Sequence, residues 1–470
     1  MINSIKSRAT SYARFARLRP FDISTPQGVR DERYRRAILS SITMLLSRSL
    51  SMINGLFTIY IISPLFGAER FSAWFVVIAF INFLNLLDMG IPTALVNRSV
   101  RIFADDHHGA RASVSAIVAI LVGLSLLILI FALILAYVAP WNVILKTQDT
   151  TLISETRYAA LASTPFIIFN IFSAGFSNIV LGMQKGFLAS ILTGLVNLLG
   201  FGSVILASRY APTLTGMLWA SQGILVATPL LLLVYFYRQG LIGFSDLWSA
   251  VPREFKQLWS LSRSFFALNV ISGITANLDV FLASTLLDPT SVAELVIVQR
   301  LFLIYIGLTS IIMSPLWASY ADAMVNHDHI FIRKTLIRSF YLSCLLIAVF
   351  FIPTILLSGE IFFHWSQGTF SPDRIFVILV AISSAIIIIN VGFSYYLNGC
   401  GVMRPQIIAN IIFAGLVLSS KITFSYVFGL TGLILAGIIS TVLANFLTYG
   451  LLFRQETFRW FHAGGHPSTN

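Results

Sequence analysis

From residue 37 to residue 454 the chain is a succession of apolar stretches, each near or above the roughly 20 residues that an α-helix needs to cross a bilayer. They run over 37–66, 71–97, 113–139, 157–182, 187–208, 213–237, 262–287, 292–320, 337–358, 374–399, 405–428 and 430–454. Water cannot be the solvent for such a chain: 11% of its residues are charged, against about 25% in a globular domain, and its mean hydropathy is +0.85. The pattern predicts an all-α integral membrane protein with 12 transmembrane helices.

The net charge of +12 does not imply nucleic acid, because the positive residues fall in short gaps between apolar runs, where they act as topology signals. Alternate gaps hold 23 Lys and Arg in one set and six in the other, with Arg48 and Arg300 left inside helices. That bias places both termini in the cytosol. The layout is then a basic cytosolic tail over 1–36, a lobe of six helices over 37–237, a cytosolic amphipathic linker over 238–261, a second lobe over 262–454 and a cytosolic tail over 455–470. In the first tail Pro20, Pro26 and Gly28 interrupt helical patterning, the basic residues suit contact with anionic membrane lipids, and no apolar core of a cleavable signal peptide is found. The linker places Phe244, Leu247, Trp248, Leu258 and Trp259 among Arg253, Lys256 and Arg263. Cys344 and Cys400 form neither a disulfide framework nor a metal spacing.

The two lobes echo each other. Leu214-Thr215-Gly216 opens the sixth segment and Leu430-Thr431-Gly432 the twelfth; Gly182-Met183-Gln184-Lys185 precedes the fifth where Gly401-Val402-Met403-Arg404 precedes the eleventh. Pro92 is matched by Pro315, and His107-His108 by Asp328-His329. Repeats with an even number of helices keep the same orientation, so the expectation is two pseudo-symmetric lobes about an axis along the membrane normal, with a central cavity.

Polar residues inside spans carry the functional candidates, since an ionisable group costs about 2.5–3.5 kcal/mol at the centre of a membrane helix on insertion scales. In the first segment Ser40, Ser47, Ser51, Asn54 and Thr58 recur on one stripe, with Arg48 beside it. The stripe reads either as a cavity wall or as a seam of close helix packing. Asp88 lies in Leu86-Leu87-Asp88-Met89-Gly90, within a second segment read as one helix. The seventh segment carries Asn269, Ser272, Thr275 and Asp279, and the eighth Arg300, Gly307 and Ser314. Asp279 with Arg300, and Asp88 with Arg48, read equally as ion pairs or as substrate contacts. Lys421 reads as a snorkelling residue in the outer part of the eleventh segment and a weaker cavity candidate. The substrate-cavity set is therefore Arg48, Ser47, Ser51, Asn54, Arg300 and Lys421. The histidine-rich loops Asp105-Asp106-His107-His108 and His327-Asp328-His329 read as solvated turns, not metal sites, and Pro165, Pro229 and Pro353 as kinks. Neither a phosphate-binding Gly-rich loop nor a catalytic triad spacing is present, so no cofactor and no enzymatic chemistry is expected.

Leu65-Phe66-Gly67-Ala68-Glu69-Arg70-Phe71-Ser72-Ala73-Trp74, then Leu86-Leu87-Asp88-Met89-Gly90 and Ala94-Leu95-Val96-Asn97-Arg98, resembles the first helical hairpin of polysaccharide-biosynthesis flippases of the Wzx-like, O-antigen type. These belong to the MOP superfamily, which also holds MATE drug exporters and lipid II flippases. Asn277-Leu278-Asp279 with Ser291-Val292-Ala293-Glu294-Leu295 and Gln299-Arg300-Leu301 resembles the corresponding hairpin of the second lobe, although Ser72, Ala293 and Leu295 stand where the family often has Gly, Gly and Tyr. The resemblance implies a multi-pass protein of the bacterial inner membrane. It would move an undecaprenyl-pyrophosphate-linked oligosaccharide by alternating access, with H+ or Na+ coupling at Asp279 or Asp88 and with glycan polymerase and chain-length machinery as partners. The rivals are a MATE-like multidrug exporter and, further off, a membrane glycan polymerase or ligase.

Overall fold

The computed structural model describes residues 25–104, 109–243, 246–325, 328–400 and 404–454. The regular structure of the described residues is all helical, with no strand among them. In chain order the helices are α1 (Pro26–Asn85), α2 (Ile91–Ala104), α3 (Ala110–Val138), α4 (Trp141–Ile144), α5 (Thr150–Ser163), α6 (Pro165–Gly182), α7 (Gly186–Tyr210), α8 (Leu214–Gln222), α9 (Ala227–Arg238), α10 (Val251–Leu286), α11 (Pro289–Val325), α12 (His329–Leu356), α13 (Ser358–Trp365), α14 (Arg374–Gly399) and α15 (Arg404–Arg454).

Nine helical stretches among the described residues are long and apolar enough to cross a membrane, and the chain is a multi-pass membrane protein. Two of the nine, Ile38–Asp88 and Asn410–Leu447, are long enough for two crossings each. Each is interrupted at a glycine with positive φ, Gly67 at +63° and Gly429 at +59°. A side chain would strain that backbone, so glycine is what permits the break. With α10, many of whose side chains lie outside the described residues, these account for the twelve crossings read from the sequence.

Packing on α3 shows why lipid is the solvent. Ile117, Leu121, Leu124, Ile128, Ala132 and Ala136 are buried on one side, while Leu126, Leu127, Ile130 and Ile134 stand 49–59% exposed on the other. A helix apolar all round has nothing to gain from water on its outer face.

Three local findings depart from the sequence reading. Pro26 opens α1 instead of breaking it, because a proline at the first helical position forfeits an N–H that has no intrahelical partner. There Glu32, 3% exposed, accepts from Arg35 at 2.7 Å and Arg36 at 2.8 Å. The second apolar segment is not one helix: Leu86–Asp88 tightens to a 3₁₀ turn, Met89 and Gly90 take positive φ, and α2 starts afresh. Finally, Pro165 begins α6 and Pro229 lies in the first turn of α9, so of the three prolines read as kinks only Pro353 sits well inside a helix. The loop residues Asp105, Asp106, His107, His108 and His327, with Phe244, lie outside the described residues.

The chain divides into two compact units. The first comprises Met1–Ile61, Phe80–Ala139 and Ser154–Val270; the second comprises Ile62–Ala79, Pro140–Ile153 and Ile271–Asn470. In the first, α2 packs on α6, where a Cβ on Gly182 would stand 2.6 Å from Ser99 Cβ, and Asn178 Nδ2 donates to the Pro92 carbonyl at 2.7 Å.

The first turn of α10 and the residues just before it are pinned to α2 and α3 within this same unit. Glu254, fully buried, accepts from Arg98 Nε and Nη2, both at 2.7 Å, from Ser113 Oγ at 2.9 Å and from Arg253 at 3.1 Å. Arg111 pairs with Asp246 at 2.8 Å, and the Gly243 N–H donates to Ser115 Oγ at 3.0 Å. The opposite face carries Trp248, 76% exposed, and Phe255 stacked on Trp259 with centroids 6.5 Å apart. This is an amphipathic segment whose inward anchor is an acid, which the run of basic and aromatic residues conceals.

Burial pushes the Glu254 carboxyl upward, but the donors from Arg98 and Ser113, the charge of Arg98 and the contact with Arg253 outweigh it and hold the group below its ordinary value of 4.5. A depressed carboxyl stabilises the fold above its unfolded-state value and loses that contribution as pH falls through the folded-state value. Arg98→Ala, which removes the bidentate partner of a buried carboxylate, is expected to cost on the order of 3 kcal/mol in detergent-solubilised unfolding. Glu254→Gln should lower the unfolding midpoint at neutral pH, and its gap to wild type should close below about pH 4.5.

Candidate functional site

Within the second unit a cavity of about 440 Å³ lies among α10, α11, α14 and α15. That volume falls in the range of small-ligand pockets, about 300–1,000 Å³. Its polar wall is made by regular steps along helices: Ser383, Asn390 and Ser394 on α14, and Gly437, Thr441 and Asn445 on α15, with Asn410 from the start of that helix. Asn445 Nδ2 donates to Asn390 Oδ1 at 3.1 Å, linking the two helices across the wall. Leu303, Ile306, Val380 and Phe413 supply apolar surface.

At one end of this wall Lys421 donates to Asp279 Oδ1, and Gln299 Nε2 donates to Asp279 Oδ2 at 3.1 Å. The side chains of Lys421 and Asp279 are 7% and 13% exposed. Lys421 therefore does not snorkel. It turns inward, and Gly437 gives it room: a Cβ there would stand 3.3 Å from Lys421 Cε. A buried ammonium needs a counter-charge, and Asp279 rather than the medium provides it.

The paired charges expected from the sequence are thus sorted differently. Asp279 is bound to Lys421 and Gln299, not to Arg300. Arg300, partly buried on α11, sits with its guanidinium carbon 5.7 Å from the centroid of the Phe75 ring. Asp88 accepts the Gly90 N–H at 2.8 Å, an Asx turn at the helix break, and among the described residues no ion pair joins it to Arg48. Among the described residues neither Arg48 nor Arg300 has a carboxylate partner.

Ser47, Ser51 and Asn54 face α7 within the first unit. Ser51 Oγ donates to Asn197 Oδ1 at 3.1 Å, Ser40 Oγ accepts the Phe187 N–H at 3.1 Å, and virtual Cβ atoms on Gly194 and Gly200 would stand 3.7 Å from Ser47 and 2.7 Å from Asn54. Ser47 and Asn54 are buried in this contact, so of the two readings of the stripe the packing seam is the one its contacts describe. Arg48, one residue round the helix, is exposed. The side chains of Asn269, Ser272 and Thr275 lie outside the described residues. The polar positions of α14 and the second half of α15 were missed in the sequence, although their steps of four and seven inside apolar spans were there to be counted.

No protein-family model matches the chain, nor does any curated protein sequence. Solved structures do match. A lipid II flippase MurJ in an inward closed conformation superposes with a TM-score of 0.67 at 18% identity, covering 88% of this chain and 87% of that one. The fold is that of the MOP transporters. An inward-facing multidrug resistance MATE family transporter of the MOP superfamily gives 0.65 at 15% identity, over 88% of this chain and 99% of that one. A MOP superfamily transporter from Pyrococcus furiosus, described as having a binding pocket of reversed polarity, gives 0.58 at 15% identity, over 89% and 96%.

The Asp279–Lys421 pair makes a double-mutant test direct. Asp279→Ala, which strands a buried ammonium, is expected to destabilise the protein by about 3–5 kcal/mol. Asp279→Leu with Lys421→Met should recover most of that loss, since neither charge is then left alone. Additive losses in the double variant, read by thermal unfolding in detergent, would show that the two side chains do not depend on each other.

Proposed function

We propose that the chain is a transporter, not an enzyme, and that it is a flippase carrying an undecaprenyl-pyrophosphate-linked oligosaccharide from the cytosolic to the outer leaflet of the bacterial inner membrane by alternating access. The observation that carries this reading is the pair of unmatched arginines. Arg48 stands about ten residues, or roughly 15 Å, inside the first apolar stretch that begins at Ile38, and Arg300 lies on a spanning helix against an aromatic ring. Neither has an acid among the described residues, while the lysine deep in the second unit is already neutralised by Asp279. Positive charge left uncompensated in a membrane segment favours an anionic traveller, and a guanidinium offers a diphosphate two parallel donors.

The MATE-like alternative, export of organic cations, has the structural likeness in its favour. The same arginines weigh against it, because they repel a cationic substrate. Sugars would find hydroxyl and amide partners along the route, the polyprenyl tail would remain in lipid, and both termini would face the cytosol. Glycan polymerase and chain-length machinery would act on the delivered product.

Arg48→Ala and Arg300→Ala are each expected to reduce surface glycan more than tenfold while membrane levels of the protein stay the same, and Arg→Lys at either position to retain part of it. Unchanged glycan in both alanine variants would reject the diphosphate role. Resistance to organic cations that falls in cells lacking the protein, with glycan intact, would select the exporter.

A further inference from the structure

The Asp279 end of the cavity has the chemistry of a hard-cation site with its cation already in place. A carboxylate opens onto a cavity whose wall carries amide and hydroxyl oxygens, Gln299 beside the carboxylate and Thr441 one turn beyond Gly437. The position on the carboxylate is held by Lys421, which reaches it from α15 over Gly437, while Gln299 occupies the second oxygen. Asp279 and Lys421 are the two titratable side chains among the described lining residues, so the site is neutral as it stands.

We infer that Lys421 is a tethered cation that takes the place of a metal ion on Asp279, making this cavity closed to sodium unless the ammonium is removed. A sodium ion arriving beside Lys421 would meet a second unit charge about 4 Å away; at an effective dielectric constant near 20 that repulsion weakens binding on the order of a thousandfold. With the lysine truncated, the carboxylate, the amides and the vacated volume above Gly437 remain. The carboxylate then lacks a counter-charge, and sodium is the cation assigned to it. The inference builds on the transport reading by fixing the ion side of the same cycle, yet its test reads ion binding alone.

The test compares the purified full-length chain in NaCl and in KCl at equal ionic strength, following thermal unfolding by tryptophan fluorescence. Wild type is expected to unfold at the same midpoint in both salts. Lys421→Ala should unfold several degrees higher in NaCl, with half-saturation on the order of millimolar, and Asp279→Asn combined with Lys421→Ala should lose that response. Recovery of folded Lys421→Ala only from sodium buffers supports the inference equally. Should that variant fail to fold in either salt, Lys421→Asn, which returns a donor to Asp279, is read in the same way. A wild-type sodium response abolished by Asp279→Asn overturns the inference, and so does a folded lysine variant indifferent to sodium. Surface glycan enters none of these outcomes, so loss of the diphosphate reading and loss of this one are told apart.

Discussion

A bilayer interior supplies no water to a polar group, so each one that the chain carries there must be answered by the chain itself. Much of this structure consists of such answers. Ser51 is met by Asn197, the Pro92 carbonyl by Asn178, Asn390 by Asn445, and Lys421 by Asp279. Among the described residues Arg48 and Arg300 are not answered by a carboxylate. A lysine that has its carboxylate is structural until something displaces it, whereas Arg300 lies with its guanidinium against a phenyl ring.

The helical crossings were readable because hydrocarbon thickness imposes a length on every span, and the two breaks at Gly67 and Gly429 fell where the apolar runs had been divided. What the residues face was not readable to the same degree. The period of Ser47, Ser51 and Asn54 identifies one side of a helix, but a Ser–Asn stripe looks the same whether a void or a glycine-lined neighbour lies opposite; only Gly194 and Gly200 on α7 settle which. Lys421, which lines the cavity, was read as a snorkelling residue for a related reason. Snorkelling is the default for a lysine near a helix end, and inward turning depends on a glycine sixteen residues further on and an acid in another helix. Asp88 was drawn into a continuous helix since hydropathy does not register two successive left-handed residues.

The first turns of α10 and the residues just before it are a different case. Their basic and aromatic residues read as an amphipathic surface strip, and Trp248, Phe255 and Trp259 are exposed. Yet the interaction that fixes it is the buried Glu254 among Arg98, Ser113 and Arg253, a single acid with little weight in any composition. Attachment at one fully buried carboxylate gives the segment a definite position on α2 and α3 while leaving its apolar face unspent.

The seam between the first span of α1 and α7 has a mechanical corollary. Contacts made by glycine, serine and a buried asparagine involve short side chains with few alternative rotamers, so the two helices cannot slide past one another by reshuffling their surfaces. The two elements therefore form one stiff plank, and the first place where the chain beyond it changes direction is the glycine break at Gly67.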